Sequence, residues 1–143
     1  MKKKFSTKWK SSRQKRKQRK YFLEAPLHIK HRFLSAPFSK ELRKKYGKRN
    51  IPIRKGDEVL VMRGALKKKK AKVASVELKK TRVVLEGLQR TKKDGTKINV
   101  YFHPSKLQIQ SLNLEDKERV KALERVKQEA KEKPGGKDAS DKS

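Results

Sequence analysis

The N-terminus constrains this 143-residue chain most, because eleven Lys or Arg residues precede the first acidic residue, Glu24. Segment 1–20 has little to bury beyond the aromatic rings of Phe5 and Trp9. Such a segment cannot recover the conformational entropy that it loses on ordering, so we expect it to be disordered in the isolated chain. A polyanion changes this balance, because neutralised phosphates release their condensed counterions. The segment therefore indicates nucleic acid as the partner.

Positive charge is concentrated towards the N-terminus. Residues 1–56 hold 21 Lys and Arg against 2 Asp and Glu, residues 57–112 hold 14 against 5, and residues 113–143 hold 9 against 8. A net charge of +29 with 41% charged residues is typical of nucleic-acid-binding proteins rather than of enzymes. The asymmetry indicates which end of the molecule faces the anion.

The composition also excludes several classes of site and segment. The chain has no cysteine, so disulfides and thiolate zinc sites are excluded. No apolar run reaches the length of a membrane span, and the basic N-terminus lacks the apolar region of a signal peptide. We therefore expect a soluble, cytoplasmic protein that is not a homo-oligomer and does not contact a membrane.

Segment 21–56 reads as a basic extension with two short helices separated by prolines. Pro26 suits a first helical turn, and Pro37 ends that helix. Ser39 is a candidate N-cap of the second helix, and Gly47 is a candidate C-cap.

Segment 57–112 has the pattern of a mainly β domain, with most of the chain's apolar residues. Five short strands are predicted, at residues 58–63, 71–78, 82–87, 97–102 and 107–112. Val73 is out of phase with Val76, which predicts a bulge. Asp94-Gly95 predicts a tight turn. Five strands in so short a segment favour a small closed barrel, with a core confined to about half of the chain.

Segment 113–143 changes to helical spacing and is nearly neutral. Val120, Leu123, Val126 and Ala130 recur among charged residues, so we expect a charged helix followed by a frayed tail. Glu115 and Arg119 have the spacing of a surface ion pair within that helix.

The strand–loop–strand segment from Arg54 to Val76 carries a glycine and a run of lysines at its loop. Backbone amides and cations presented together suit a closely approached phosphate backbone. The alternative is a solvated hairpin loop whose lysines only keep it soluble.

The residues of this segment, Gly56-Asp57-x-Val59-x-Val61-x-x-Gly64 and then Lys67 to Lys72-Val73, resemble a KOW motif. The flanking segments 25–28, 35–57 and 103–116 resemble one KOW family, the archaeal and eukaryotic type of universal large-subunit ribosomal protein twenty-four, called twenty-six in eukaryotes. The resemblance covers residues 13–125. Lys68 and Ala71 stand where this family has glycines, so the loop must take another path or hold a non-glycine residue at positive φ.

The resemblance implies an SH3-like barrel that carries the KOW loop and binds large-subunit rRNA in its 5′ domain. It also implies a role in early subunit assembly, beside other ribosomal proteins and near the polypeptide exit tunnel. Recognition of A-form RNA should then rest on shape and phosphate spacing. A KOW-domain protein of transcription or chromatin is the alternative, and an RNA-processing enzyme is remote because no carboxylate cluster or catalytic motif is present.

The candidate rRNA-binding residues fall into four groups. Arg63, Gly64, Lys67 and Lys68 occupy the KOW loop of the family. Arg32, Arg54, Lys55 and Lys106 are cations beside family-like segments, each with a solvated surface cation as its alternative. Tyr101 lies on an outward strand face where a base can stack, and His28 and His103 hydrogen-bond to backbone or RNA. The remaining candidates are Lys10, Arg13, Lys15, Arg16, Lys17, Arg19, Lys20, Lys30 and Ser105.

Base stacking and metal binding are further possible roles of the aromatic residues and the histidines. Trp9, Tyr21 and Phe22 are further candidates for base stacking, although packing against a helix suits Phe22 better. His28, His31 and His103 suggest a metal site, but zinc is poorly supported without cysteine or a nearby carboxylate other than Glu24. We expect no metal, no cofactor and no catalytic residue.

Overall fold

The computed structural model describes residues 5–6, 8–9 and 11–131, and the side chains of residues 126–131 lie outside the description. Four helices are described: α1, Lys15–Glu24, α2, Leu27–Phe33, α3, Lys40–Tyr46, and α4, Lys117–Lys131. Seven strands are described: β1, Ser35–Pro37, β2, Asn50–Pro52, β3, Glu58–Val61, β4, Lys70–Glu77, β5, Arg82–Thr91, β6, Lys97–Phe102, and β7, Leu107–Ser111. A single 3-10 turn, Pro104–Lys106, joins β6 to β7.

The five longer strands form one antiparallel sheet in the order β6-β5-β4-β3-β7. The predicted mainly β domain of five strands is therefore confirmed. Within the described part of the chain, no pairing between the end strands β6 and β7 closes the sheet. The closed barrel consequently stays a prediction.

Strand β4 bends at the predicted bulge and changes its partner there. Its first residues pair with β3, and from Val73 onward it pairs with β5. The register shifts between Val73, which faces Leu85, and Ser75, which faces Val84. The extra residue lets Val73 point into the core despite the phase of Val76, so the bulge is confirmed.

The predicted turn and helix caps are also present. The Thr96 amide donates to Asp94 Oδ1 at 2.9 Å, and Gly95 has a φ of +82° in the hairpin turn. Ser39 Oγ accepts a hydrogen bond from the Leu42 amide at the start of α3, and Gly47 ends that helix in the left-handed region. Each of these residues acts where its short-range chemistry predicted.

Helix α1 begins at Lys15, inside the segment expected to order only on a polyanion. None of its residues is buried. Its contacts to the rest of the chain include aromatic ones, such as Tyr21 against Phe33 with ring centroids 5.9 Å apart. Packing this sparse gives a helix little stability of its own, so disorder of this segment in the isolated chain stays a prediction.

The hydrophobic core draws on more of the chain than expected. Leu34, Ala36, Phe38, Ile51 and Ile53 of the N-terminal extension are all buried in it, and α4 adds Leu123. The two-stranded pairing of β1 with β2 places this extension against β7, where the Ser39 amide donates to the Ile109 carbonyl at 2.9 Å. The expectation of a core confined to residues 57–112 is therefore wrong, because two three-residue strands and the residues next to them carry apolar side chains into it.

One apolar strand residue lies outside the core. The alternation along β6 places Ile98 on the same face as Phe102, but its side chain is 37% exposed, whereas Phe102 is buried. The end of the β5–β6 hairpin that bears Ile98 extends past the core, so strand alternation there does not lead to burial.

A buried ion pair joins α4 to the sheet. Arg119 forms a bidentate contact with Asp57, with nitrogen–oxygen distances of 2.6 and 2.7 Å, and both side chains are almost fully buried. The Asp57 carboxylate also accepts from the amides of Arg54 and Asn113. The interpretation of Arg119 as the surface partner of Glu115 is therefore wrong, since Arg119 pairs across the molecule instead.

We expect Arg119→Met to lower the free energy of unfolding by about 3–5 kcal/mol, because it leaves the Asp57 carboxylate buried without its counter-charge. Denaturant unfolding of the full chain measures this change. Arg125→Met, on an exposed part of the same helix, is the matched control and should cost no more than about 0.5 kcal/mol. A cost below about 1 kcal/mol for Arg119→Met is what an exposed pair gives, and it would contradict the buried pairing.

Candidate nucleic-acid interface

The loop between β3 and β4 is held in a defined path by backbone hydrogen bonds. The Lys68 amide donates to the Val61 carbonyl at 2.8 Å, and the Met62 amide donates to the Lys106 carbonyl at the same distance. Lys68 has a φ of +69°, and Gly64 has a φ of +101°. The loop therefore holds a lysine in the left-handed region, one of the two outcomes expected where the family has glycine. Ala71 lies in β4 opposite Val59.

The second of these hydrogen bonds brings the loop beside the turn that follows β6. Arg63 and Gly64 of the loop line one groove, of about 400 Å³, together with Tyr101, His103 and Lys106. Five of the candidate residues, distant in sequence, thus share one surface. We call it the loop groove. Tyr101 is 53% exposed there, as the outward strand position predicted.

The loop groove also contains residues that the sequence analysis missed. Arg82 and Arg90 of β5 add two cations, Gln89 adds an amide, and Leu66 and Val100 add apolar wall. Arg82 and Arg90 are exposed residues of one strand. In the sequence, Arg82 and Arg90 stand on either side of the largely apolar segment 83–88. The predicted strand ended at residue 87, before Arg90.

His103 caps the turn at the edge of the loop groove. Its Nδ1 lies 2.8 Å from Ser105 Oγ and accepts a hydrogen bond from the Ser105 amide at 3.3 Å. A neutral imidazole with an accepting Nδ1 carries its proton on Nε2, which is then a donor. Burial, followed by the positive charges of Arg82 and Lys106, lowers the pKa of His103. His103 thus has a backbone amide as one partner, as predicted. Ser105 supplies both that amide and a hydroxyl group to the cap of the turn.

A second basic groove adjoins the first. Lys30 of α2 lines a groove of about 700 Å³ with Lys79 and Lys80, and Arg82 and His103 line both grooves. The rings of Phe22 and Phe33 form its apolar side, with centroids 4.6 Å apart. Phe22 therefore packs against α2 while remaining 51% exposed. Lys79 and Lys80 were missed, although they form a basic pair at a predicted strand end.

Arg54 and Lys55 lie elsewhere, beside a groove of about 570 Å³ next to α4. The Arg54 guanidinium forms an ion pair with Asp116, so this candidate already has an anionic partner. His31 lines the same groove, and burial, then the charges of Arg54 and Arg119, lower its pKa.

The remaining candidates are exposed but scattered. Lys67 lies on the β3–β4 loop, while His28 and Arg32 lie on α2. Exposed cations on and before α1 are Arg13, Lys15, Arg16, Lys17, Arg19 and Lys20; Lys10 lies outside the described residues. Lys17 and Lys20 border a small cleft, where Trp9 stacks on Tyr21 with centroids 4.4 Å apart. These two aromatic residues contact each other, and their stacking on bases stays a prediction.

Two further properties concern the described residues alone. No three His, Asp or Glu side chains among them are grouped so that they could hold a metal ion. None of the described helices combines the length and the apolar character that crossing a membrane requires.

Known proteins resemble this chain over most of the residues described above. Residues 12–126 match the family model that describes the ribosomal proteins named L26 in eukaryotes and L24 in archaea. A protein of Korarchaeum cryptofilum, named large ribosomal subunit protein uL24, is 49% identical over 109 residues, which are 76% of this chain and 83% of that protein. The matched range includes α1 through most of α4, and with them all the grooves above.

We expect Lys68→Gly to raise the free energy of unfolding by up to about 1 kcal/mol, because glycine adopts a φ of +69° without the steric cost that lysine carries. Denaturant unfolding measures it. Lys67→Gly removes the same charge from the adjacent position, where φ is not positive, and should lower stability by about 0.4–1 kcal/mol through the more flexible unfolded chain. Equal changes for the two variants would contradict the strained conformation of Lys68.

The lowered pKa values of His31 and His103 predict that the protein loses stability as pH falls below about 6.5. In the unfolded chain these rings bind protons near that pH, whereas in the folded chain they bind them only at lower pH, so acid favours unfolding. Their contribution is present above about pH 6.5 and is lost below it. Melting temperatures measured between about pH 7.5 and 5 test this dependence.

The double variant His31→Gln/His103→Gln should show a flatter dependence of melting temperature on pH than the unmodified chain. His28→Gln, which changes an exposed ring, is the matched control and should keep the original dependence. If the double variant retains the full loss between pH 7.5 and 5, the two histidines do not carry it.

Proposed function

The chain belongs to the family of ribosomal proteins that comprises L26 of eukaryotes and L24 of archaea, and from this membership we propose that it is a structural constituent of the large ribosomal subunit that binds large-subunit rRNA. The observation that supports rRNA binding best is the loop groove, where Arg63, Arg82 and Lys106 converge from three parts of the chain. Cations gathered on one surface bind a polyphosphate through counterion release.

The two basic surfaces act differently in this proposal. The loop groove rests on the buried core through Phe102 and is formed before RNA arrives. The N-terminal cations extend from α1, which buries no residue, so they can follow the RNA backbone and order on it. A preformed groove fixes position and orientation, and the extension adds affinity without base specificity.

The finer parts of the proposal come from the family resemblance. The five-stranded sheet corresponds to an SH3-like KOW barrel, and the rRNA site lies in the 5′ domain, near the polypeptide exit tunnel. Binding there early in assembly, beside other ribosomal proteins, places the protein in cytoplasmic ribosomes. The role is structural and non-enzymatic, and the cations position the protein on the RNA.

The proposal predicts a steep, site-dependent salt dependence of RNA binding. The ligand is a transcript of the 5′ domain of large-subunit rRNA, for which log K falls as log salt rises. The triple variant Arg63→Gln/Arg82→Gln/Lys106→Gln should make this negative slope shallower by about 2–3, since each neutralised phosphate contributes about 0.7–0.9 to its magnitude. Titrations over a range of salt concentrations measure the slope.

A matched triple variant on α4, Lys117→Gln/Lys121→Gln/Arg125→Gln, removes the same charge from exposed positions outside the loop groove. Its slope should stay within about 1 of that of the unmodified chain. Equal reductions in both variants would show that only total charge matters and would contradict the groove as the RNA site. Sedimentation in high salt tests the assembly itself: the protein should remain with large subunits, and its release would favour a transient nucleic-acid-binding role.

A further inference from the structure

The loop groove has a form that phosphate binding alone does not require. Leu66 and Val100 give it apolar walls, and the half-exposed ring of Tyr101 borders it. Its cations, Arg63, Arg82, Arg90 and Lys106, are exposed residues. A volume of about 400 Å³ lies within the roughly 300–1,000 Å³ typical of small-molecule pockets.

Strand β5 has a large bulge, called here the bend of β5, beside the loop groove. Val84 faces Tyr101 and Gln89 faces Asn99, so four residues of β5, 85–88, stand against one residue of β6. Gly87 takes a φ of +70° within this stretch. The bend is a feature of the backbone, so the cavity exists in the free protein.

Two polar side chains, those of Gln89 and His103, line the loop groove together with the ring of Tyr101. Gln89 Nε2 donates to Asn99 Oδ1 at 3.2 Å, which fixes the Gln89 amide and leaves its carbonyl oxygen as an acceptor. On the other side, His103 keeps its Nδ1 on Ser105, so its Nε2–H is a donor. An acceptor and a donor thus accompany an exposed ring and apolar walls.

This combination matches an unpaired nucleotide better than a paired helix. A base in an RNA duplex has both faces stacked and its pairing edge occupied, and so it cannot use an aromatic ring and apolar walls. An unstacked base offers a planar face to Tyr101 and a polar edge to the amide, while its phosphates lie near cations.

We propose that the loop groove binds one unpaired nucleotide of the RNA, with its base stacked on Tyr101 and its phosphates against Arg63, Arg82 and Lys106. The inference rests on the proposed function, because it names the RNA structure that the same site selects. Recognition then includes a base-level contact in addition to helix shape and phosphate spacing.

The test uses the full chain and two RNA hairpins of equal length and charge. In one hairpin a single adenosine is bulged, and in the other that adenosine pairs with a uridine that the first hairpin carries unpaired at its 3′ end. The two hairpins have the same loop. The bulged hairpin should bind about 5- to 100-fold more tightly, the range that base–aromatic stacking gives. Competition titrations at fixed salt measure the ratio.

Variants assign this preference to the loop groove. Tyr101→Leu should abolish the preference, and Tyr101→Phe, which keeps an aromatic ring, should retain it. Lys79→Gln, an exposed cation outside the loop groove, should weaken binding of both hairpins by the same factor. Melting temperatures of the two Tyr101 variants should match that of the unmodified chain, since the ring is half-exposed.

The outcomes separate failure of the nucleotide pocket from failure of the proposed function. Equal affinity for the two hairpins, or a preference that persists in Tyr101→Leu, would overturn the nucleotide pocket and leave salt-dependent RNA binding in place. Failure to bind either hairpin, together with failure to bind the rRNA transcript, would overturn both the pocket and the proposed function.

Discussion

The rest of the structure depends on the buried ion pair of Asp57 with Arg119. Four donors converge on one carboxylate: the amides of Arg54 and Asn113 and two guanidinium nitrogens of Arg119. Arg119 in turn donates to the carbonyls of Asn113 and Pro52. Charges buried this completely need hydrogen-bonding partners, and within the pair only Arg119 Nε lacks one, so the pair fixes where β2, the start of β3 and α4 meet. Gly56 belongs to the same junction, since a Cβ there would lie 2.8 Å from Asn113 Nδ2.

The junction gives the Gly56-Asp57 pair of the motif a structural role. The pair precedes the basic loop, but both residues contribute to the buried junction. The proposed RNA surface is formed instead by the loop beyond β3 and by the turn that follows β6, which meet through the Met62–Lys106 hydrogen bond. The motif thus combines one part that holds the fold together with another that forms the proposed RNA surface.

The sequence predicted those features that depend on near neighbours. Asp94-Gly95, Ser39 and Gly47 act through residues a few positions away, and the Val73 bulge was visible as a break in strand phase. The core contribution of Phe38 and Ile53 was missed, because each lies just beyond a strand of three residues, which is too short to show a period. Arg119 was assigned to Glu115 because spacing within a helix is visible, whereas a partner 62 residues away is not. For the candidate site, chemistry named Arg63, Tyr101 and Lys106 separately, but the sequence did not show that Arg82 and Arg90 of β5 line the same groove.

The charge that suits this protein to RNA also works against its folded state. A net charge of +29 on 143 residues repels itself, and at His103 the positive charges of Arg82 and Lys106 add to the effect of burial, which is the larger cause, in lowering the pKa. Phosphates placed against these cations reverse the sign of the local potential and remove the repulsion. In the proposed function, RNA binding and folding therefore reinforce each other, since any ligand that binds only the folded state stabilises it. Among the described residues, the buried pair of Asp57 and Arg119 brings its own counter-charge, and so the central junction does not depend on RNA for its neutrality.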